Sequence, residues 1–412
     1  MSKKIIIVGA GVIGAACALT LQRDGHTVIL VDRNISDTRT SFGNAGAIVN
    51  GSCVPTAMPG IMPDALAMIL NPLSPLSIRP TYSLKIFPWL MRFIWQSRQS
   101  AVFKNALNLK NLTQDAVTHW QQLTKNTNLN GLFRNTGWLK VYESDKAFKN
   151  INNAIKLHDQ LGSPYEILTA NQIRDLEPNL APIYKHGFYQ KDSMSIANPE
   201  KLVLGMIDIF VKNGGRYQQF AVDEINTNED SVILKGSDAS LQADNVVIAT
   251  GAWSKHLAKQ LGDSIPLDTE RGYHLMFPET SKGLLKRPVV NSENSFVLSP
   301  MTSGMRMTSQ VEFAGLTAKP NYSRIRSLVP LAKRMLPKID SHEESIWMGC
   351  RPSLPDSLPV IGFSKQSNKV LYAFGHQHLG MTLAATTSYI ISDLINNKIP
   401  YISLDPYRPN RF

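Results

Sequence analysis

The alternation of apolar and polar positions changes its period twice near the start of the chain. Lys4–Val8 is an apolar run short enough for a buried parallel strand, Val12–Asp24 has the length of a helix, and Thr27–Val31 is apolar again. Gly25 is placed to end the helix, and Asp32 follows the second apolar run. The pattern predicts a strand–helix–strand unit that ends in an acidic residue.

Glycines mark the turn between the first strand and the helix. Gly9, Gly11 and Gly14 have the Gly-x-Gly-x-x-Gly spacing. The first permits a sharp turn, the second lets a pyrophosphate approach the backbone, and the third allows close packing of helix on strand. The free N–H groups at the start of the helix then point at the phosphates, and Asp32, 18 residues after Gly14, can accept the ribose hydroxyls. The predicted dinucleotide contacts are Gly9, Gly11, Val12, Ile13, Gly14 and Asp32.

The same stretch has a second interpretation. Met1-Ser-Lys-Lys and the uncharged residues that follow, with Ala15-Ala-Cys-Ala, resemble a secretory signal peptide. A signal peptide needs neither spaced glycines nor a second strand that ends in an acid. We therefore favour the dinucleotide site.

The remaining pattern indicates two interleaved units. Buried strands return at Asn245–Thr250 and Val370–Phe374, the strands between them are half-buried, and residues 51–81 look like irregular loop or short helices. No Gly/Ser linker divides the 412 residues, which are long for a single core. We predict an α/β fold: a Rossmann-like nucleotide-binding domain (1–80, 185–255 and 346–412) interleaved with an α+β substrate-binding domain built on an antiparallel sheet (81–184 and 256–345).

Composition narrows the classes of partner. The hydrophobic content of 43% and charged content of 18% are ordinary for a soluble globular protein, and no apolar run of about 20 residues predicts a spanning helix. Cys17, Cys53 and Cys350 form no Cys-x-x-Cys pair, so we predict no disulfide framework and a reducing, cytoplasmic setting. The net charge of +11 comes without a nucleic-acid-binding module. It favours small anions or an anionic membrane surface over nucleic acid as partners, and a merely solvated basic surface is equally compatible.

Three later stretches add candidate chemistry. Val246-Val-Ile-Ala-Thr-Gly-Ala-Trp-Ser254 is a buried strand that ends in Thr-Gly, where bare backbone can approach a ligand. Cys350-Arg-Pro-Ser-Leu-Pro-Asp-Ser-Leu-Pro-Val-Ile-Gly362 places an arginine before a proline-stiffened loop. Ala373-Phe-Gly-His-Gln-His-Leu-Gly-Met-Thr382 opens the last helix, whose N–H groups suit an edge that becomes negative, such as N1–C2=O of a reduced flavin.

The chain closely resembles the D-amino-acid dehydrogenase branch of the FAD-dependent amino-acid oxidase family, which includes glycine and sarcosine oxidases. The resemblance runs over nearly the whole chain. It rests on the stretches above and on Thr40-Ser-Phe-Gly-Asn-Ala-Gly46, Glu270-Arg-Gly-Tyr-His274 and Glu312-Phe-Ala-Gly315.

The resemblance implies FAD as the cofactor and assigns its contacts. Gly9, Gly11 and Gly14 would surround the pyrophosphate, and Asp32 with Arg33 would meet the adenosine ribose. The remaining implied contacts are Val222 at the adenine; Ser41, Asn44, Ala45 and Gly46 along the ribityl chain; Thr250, Gly251 and Trp253 at the middle of the cofactor; and Gly375, His376, Gly380, Met381 and Thr382 at the pyrimidine edge of the flavin.

The resemblance also implies catalytic residues. Arg351 matches the arginine that binds the substrate carboxylate, and a guanidinium can hold a carboxylate by two parallel hydrogen bonds; its alternative role is to satisfy loop carbonyls. Tyr273 and His274 lie on one strand, so alternation sends only one of them toward the flavin, and we favour Tyr273 over simple sheet packing. His376 and His378 lack acidic or cysteine companions, so we predict no metal. Phe296 stands where several relatives have a substrate-binding tyrosine, which leaves the second half of the carboxylate clamp open.

The function implied is oxidation of the Cα–N bond of an amino acid, a D-amino acid or an imino acid of the D-proline or D-hydroxyproline type. Hydride passes from Cα to flavin N5 and leaves an imine or a 2-oxo acid. Three alternatives remain open: a glycine/sarcosine-type oxidase that uses O2, a nicotinamide-linked dehydrogenase, and a non-catalytic flavoprotein that acts as an assembly partner.

An aromatic stripe bears on the electron acceptor. Residues 83–98 predict a helix with Ile86, Trp89, Leu90, Phe93 and Ile94 on one face. With Lys85, Arg92 and Arg98 beside it, this stripe could rest on the inner face of a membrane and help pass electrons to a quinone or another carrier. Packing against its own domain is the alternative that we favour.

Overall fold

The computed structural model describes residues 1–34, 39–60 and 76–412. The expectation of irregular loop or short helices over residues 51–81 therefore lies outside the described residues for positions 61–75.

The helices and strands have the following bounds. The α-helices are α1 (Val12–Arg23), α2 (Ser83–Gln96), α3 (Gln99–Thr113), α4 (Ala116–Thr124), α5 (Asp145–Lys149), α6 (Asn152–Leu161), α7 (Ala170–Leu176), α8 (Pro199–Lys212), α9 (Ser254–Gln260), α10 (Ser323–Arg326), α11 (Val329–Met335) and α12 (Gly380–Ile395). The strands are β1 (Lys4–Val8), β2 (Thr27–Asp32), β3 (Ala47–Ile48), β4 (Leu76–Ile78), β5 (Phe133–Arg134), β6 (Trp138–Tyr142), β7 (Glu166–Thr169), β8 (His186–Gln190), β9 (Met194–Ile196), β10 (Arg216–Gln219), β11 (Glu224–Thr227), β12 (Val232–Lys235), β13 (Ser240–Ala243), β14 (Asn245–Ile248), β15 (Asp268–Phe277), β16 (Val289–Asn291), β17 (Phe296–Met301), β18 (Gly304–Phe313), β19 (Ser345–Ser353), β20 (Val360–Phe363) and β21 (Val370–Phe374).

A six-stranded sheet carries the first strand–helix–strand unit. Its order is β10-β2-β1-β14-β21-β20, in which the first five strands are parallel and β20 is antiparallel to β21. Ile5 and Ile7 of β1 pack on the helix side with α1 and α12, whereas Ile6 and Val8 pack on the side of the small sheet β11-β12-β13. Both faces are covered, which is why these strands are continuously apolar. The predicted Rossmann-like α/β arrangement is confirmed.

A nine-stranded sheet forms the second layer. Its order is β19-β15-β18-β17-β16-β6-β8-β7, with β4 paired to β18. One face is a core in which Leu139, Leu275 and Met307 pack against residues of α10 and α11. The predicted antiparallel pairing holds for most neighbours, but β16 pairs with β6, and β4 with β18, in parallel.

The two units exchange strands more than the sequence pattern indicates. β8 and β19 belong to the nine-stranded sheet. The predicted boundaries instead place β8, and all but the first residue of β19, in the nucleotide-binding domain. The boundaries of the two domains stay a prediction. β3, β9 and β5 form a separate short antiparallel sheet.

A buried ion pair closes one end of the nine-stranded sheet. Arg287 donates to Glu177 through Nε at 2.8 Å and to the Thr136 carbonyl and Tyr189 hydroxyl through Nη1 at 2.8 and 2.9 Å. Glu177 is fully buried, and its carboxylate also accepts the backbone N–H of Lys286. Because burial raises the pKa of Glu177 while Arg287 opposes that rise, the carboxylate depends on this partner.

We expect Glu177→Gln to lower the free energy of unfolding by about 3 kcal/mol, because it leaves a buried guanidinium without its counter-charge. Urea unfolding measures the change. The matched control is Glu343→Gln, which breaks the exposed pair between Arg326 and Glu343 and should cost less than about 1 kcal/mol. Equal losses in both variants would contradict a special role for the buried pair.

Candidate active site

A cavity of about 1740 Å³ lies between the two large sheets. It begins where β1, β2 and β14 end, with Gly9, Asp32 and Thr250 in its wall, and extends to one face of the nine-stranded sheet. The crevice at the carboxyl ends of parallel strands, beside the first strand, is where doubly wound sheets bind nucleotides.

The turn after β1 is closed by backbone contacts. Gly9 has φ +106°, and a Cβ there would lie 2.6 Å from the Ala249 carbonyl oxygen, so only glycine fits. The backbone N–H of Ala10 donates to Asp32 Oδ2 at 2.7 Å, and that of Asn34 donates to Oδ1 at 3.1 Å. Asp32 therefore fixes the turn as well as facing the cavity, and each of its oxygens has a further lone pair for a ligand hydroxyl.

The start of α1 is prepared for an anion. No acidic residue occupies the first turn of the helix. The N-cap residue before it is Gly11, which has no side chain to cap the helix. The Ser41 hydroxyl accepts the Val12 N–H at 3.3 Å. Farther along the wall, the Arg33 guanidinium lies 4.0 Å from the centre of the Trp253 ring. Free N–H groups and the helix dipole make this end a site for phosphate.

The last glycine loop adds a second helix start. Gly380, Met381 and Thr382 begin α12 and line the cavity. The Thr382 hydroxyl accepts the Val49 N–H at 3.2 Å, which ties this loop to the segment after β3. His376 bonds Thr387 through Nε2 at 3.0 Å, and its burial lowers its pKa to about 3, so the ring is neutral at physiological pH.

Most of the predicted site residues meet in this one cavity. Gly14, Gly46, His274 and Gly375 lie behind its wall: Gly14 packs on the Gly9 carbonyl, and Gly46 accepts the Ile196 N–H. The predicted residues that line it are Gly9, Gly11, Val12, Ile13, Asp32, Arg33, Ser41, Asn44, Ala45, Val222, Thr250, Gly251, Trp253, Tyr273, Arg351, His376, Gly380, Met381 and Thr382. Their individual roles stay predictions.

Arg351 on β19 projects into the cavity over bare backbone. A Cβ at Gly272 on the adjacent strand would overlap its guanidinium, so glycine leaves the space that the arginine uses. Nη1 donates to the Gln310 carbonyl at 2.9 Å, and Gln310 has the left-handed φ of +74°. Its cross-strand partner is Glu270, whose charge opposes the lowering of the pKa of Arg351 by burial. A guanidinium has five N–H donors, so others remain for a ligand in the cavity that Arg351 lines.

Tyr273 and His274 lie on opposite faces of β15, and the preference for Tyr273 as the pocket group stays a prediction. Tyr273 borders the cavity, but its side chain lies in the core with Leu275, is 1% exposed, and donates its hydroxyl to Glu312. His274 shares a face of β15 with Glu270 and Gly272, which line the cavity, but it lies behind the wall, stacked on Trp347 at 5.1 Å with Nδ1 3.3 Å from the Gly43 carbonyl. Alternation along the strand does not say which of the two side chains would meet the flavin.

Phe296 also points away from the cavity. It is fully buried in the core of the nine-stranded sheet, whereas its neighbour Val297 lines the cavity. The aromatic difference from several relatives at this position therefore lies on the core face of β17.

Two side chains that line the cavity were given no function on the basis of the sequence. Lys140 lines the cavity from β6, and His378 lines it from the last glycine loop. Burial and the charges of Arg351 and Lys140 lower the pKa of His378 to about 4. The signal for Lys140 was available, because a lysine between Leu139 and Val141 in a strand must face away from their core. Within the described ranges no cluster of three His, Cys, Asp or Glu residues could hold a metal ion.

Comparison with known proteins identifies the family. The model of the DAO family, the FAD-dependent oxidoreductases, matches residues 4–394. The chain belongs to this family. FAD is accordingly its cofactor, and the resemblance noted in the sequence is confirmed.

Relatives of the DAO family match over the whole chain. The D-amino-acid oxidase of Bradyrhizobium diazoefficiens is 31% identical over 420 residues, which cover 100% of this chain and 99% of that protein. Glycine oxidase from Geobacillus kaustophilus has a similar structure, with a TM-score of 0.74, 20% identity and coverage of 100% and 99% of the two chains. L-proline dehydrogenase from P. horikoshii has a TM-score of 0.73, 16% identity and coverage of 100% and 98%. The two structures share the fold with this chain.

The residues present fit FAD. The cavity is lined by the starts of both α1 and α12, and at neither helix does the N-cap residue cap the N–H groups with its side chain. The diphosphate suits the first, and the N1–C2=O edge of the flavin suits the second. The carboxylate of Asp32 and the backbone beside Val222 line the adenosine end.

The buried His274 predicts how the stability of the protein changes at acid pH. Burial and the nearby Arg306 cation lower its pKa from 6.5 to about 3. Between these values the unfolded chain binds the proton and the folded chain does not, so stability falls as the pH falls below 6.5 and is unaffected above it. Between pH 7.5 and pH 4.5, we expect the free energy of unfolding of His274→Gln to fall by about 2–3 kcal/mol less than that of wild type.

Urea unfolding of the FAD-bound protein at the two pH values measures this difference. His342→Gln is the control, because His342 is exposed and should leave the loss unchanged. An unchanged acid loss in His274→Gln would show that another group carries it.

Proposed function

We propose that this chain oxidises the Cα–N bond of an amino acid whose carboxylate is held by Arg351. The observation that carries the proposal is the guanidinium of Arg351, which faces the cavity and is anchored from behind by the Gln310 carbonyl. The names of the relatives, D-amino-acid oxidase and glycine oxidase, support an amino-acid substrate. A D-amino acid or an imino acid of the D-proline type is the substrate class that we favour.

The residues of the chain bind and orient the substrate. Arg351 holds the carboxylate by two parallel hydrogen bonds and so fixes the position of Cα. The positive charge of Arg351 disfavours a substrate ammonium beside it, so the amine is held in its neutral form. Bound FAD supplies the acceptor for the hydride that leaves Cα. The imine hydrolyses to a 2-oxo acid and ammonia, or stays cyclic when the substrate is an imino acid.

We expect Arg351→Ala to keep FAD but to slow reduction of the flavin by substrate at least about a hundredfold, because a charge-assisted pair in an enclosed site contributes about 3 kcal/mol. The measurement is anaerobic bleaching of flavin absorbance with a panel of D- and L-amino acids, glycine, sarcosine and hydroxyprolines. Arg326→Ala, on the exposed surface, is the control and should bleach as wild type does. Normal bleaching of Arg351→Ala would refute the assignment.

Helix α2 bears on the identity of the electron acceptor, because it has two apolar faces and only one of them is buried. The stripe singled out in the sequence faces inward: Trp89 and Phe93 stack at 5.2 Å, Trp89 also contacts Phe313, and Leu90 and Ile94 line the cavity. These contacts support packing of that stripe against its own domain. The opposite face is exposed and consists of Leu84, Phe87, Met91 and Trp95.

The charges on α2 suit an anionic lipid surface. Lys85 and Arg92 are exposed among the apolar side chains, Arg98 lies 3.3 Å from the centre of the Trp95 ring, and residues 83–98 contain no acid. An exposed apolar stripe flanked by cations is typical of helices that lie in the membrane interface. We infer that α2 rests on such a surface and that electrons pass to a lipid-soluble carrier such as a quinone. The competing acceptor, O2, would show as rapid reoxidation of the flavin in air.

In the part of the chain that the structure describes, no helix has the length and apolar character needed to span a bilayer.

We expect wild type to sediment with vesicles that contain phosphatidylglycerol, less at high salt, and not with pure phosphatidylcholine. Phe87→Ser/Trp95→Ser should reduce the bound fraction about tenfold or more, because two large side chains lose their burial in lipid. Ile399→Ser removes an even more exposed apolar residue elsewhere and should bind as wild type does. Failure of wild type to sediment would sink the membrane contact.

A further inference from the structure

Lys140 lies in the wall of the cavity at a position that no step above uses. Its strand neighbours Leu139 and Val141 are fully buried in the core of the nine-stranded sheet, so Lys140 faces the other way. In register with it across the sheet are Val290, then Val297 and then Thr308, all of which line the cavity. Lys140 thus stands on the same wall as Arg351, several strands away.

The ammonium of Lys140 has no counter-charge within the described residues. It makes no hydrogen bond or ion pair there, and its nearest ring is Phe188, at 5.6 Å. Of the acids on that wall, Glu270 lies opposite Arg351 in the sheet and interacts with its charge, and Glu293 accepts the backbone N–H groups of Glu143 and Ser144 at 2.9 and 2.8 Å. Burial lowers the pKa of Lys140. A lysine enclosed in this way is unfavourable until an anion arrives beside it.

A second unpartnered polar group points to the same ligand. The hydroxyl of Thr308 is buried, lines the cavity between the strands of Lys140 and Arg351, and has no hydrogen-bond partner among the described residues. His378 lies within the electrostatic reach of both Arg351 and Lys140 and opens onto the space that they share. The wall therefore offers two cations separated by neutral hydrogen-bonding groups.

We propose that Lys140 forms a second anion subsite, which receives a carboxylate at the far end of the substrate while Arg351 holds the α-carboxylate. The preferred substrates are then amino or imino acids with two carboxylates. This rests on the proposed function. A substrate with a neutral side chain leaves the ammonium of Lys140 unpaired, so the subsite selects against it. The diphosphate of FAD is not the anion in question, because it has its own N–H donors at the start of α1.

Binding of acids that cannot react tests the subsite without turnover. The FAD-bound protein is titrated with succinate, glutarate and adipate, and with pentanoate as the single-carboxylate control, while the absorbance of the oxidised flavin is followed. We expect at least one diacid to bind about tenfold or more tightly than pentanoate. Lys140→Gln should abolish that advantage, whereas Lys140→Arg should keep most of it. Lys146→Gln, which removes an exposed cation from the rim, should leave it unchanged.

Reduction of the flavin then tests the substrate class. Both enantiomers of aspartate and glutamate are compared with asparagine, glutamine and norvaline under anaerobic conditions. We expect wild type to prefer the acids, and Lys140→Gln to lose about tenfold or more in kcat/KM for them while its rate with glutamine is unchanged. Equal loss with glutamate and glutamine, or no preference for diacids in wild type, would overturn the subsite.

The two experiments separate the two proposals. If neutral amino acids reduce the flavin best and Lys140→Gln changes nothing, amino-acid oxidation stands and the subsite is wrong. If no amino acid reduces the flavin but diacid binding depends on Lys140, the subsite stands and the proposed function is wrong.

Discussion

The main chain at Gly9 passes so close to the end of β14 that no side chain fits between them, and the placement of the remaining elements follows from this contact. The Gly9 turn sets α1 directly behind the ends of the parallel strands, and Asp32 bonds back to the turn through the Ala10 N–H. Three strand ends and one helix start are thus held at a single point. The segments that follow β2, β14 and β21 leave the sheet there, and together they build one wall of the cavity.

The opposite wall has a different physical character. The nine-stranded sheet buries one face in its own core, and the other faces the cavity, so several of its strands supply alternate residues to the site. Arg351, Lys140 and the neutral His378 therefore line one cavity, although they come from strands and a loop that are far apart in sequence. In the proposed function, helix starts hold the cofactor's anionic groups at one wall, and side-chain cations hold the substrate's at the other.

The first unit and its ligand could be predicted from the sequence because their signals are local. The strand, the spaced glycines and Asp32 lie within one short stretch, and the same holds for the loop that opens α12. The orientation of Tyr273 was not accessible in this way, since its partner Glu312 lies 39 residues later and only the folded sheet brings them together. The parallel pairing of β16 with β6 likewise leaves no local pattern. For α2, periodicity identified an apolar stripe, but a helix that is apolar on two sides needs its neighbours to show which side is buried.

The left-handed backbone of Gln310 bears on which substitutions the site can accept during evolution. The acceptor that orients Arg351 is a main-chain carbonyl at an irregularity between β15 and β18, and not a side chain. Replacing the side chain at this position by any residue that tolerates the same conformation, with glycine and asparagine the easiest, leaves that carbonyl where it is. The proposed carboxylate anchor is thereby insulated from substitutions in the residues around it. Substitutions of other residues in the cavity wall can then change the substrate preference without changing how Arg351 would position Cα.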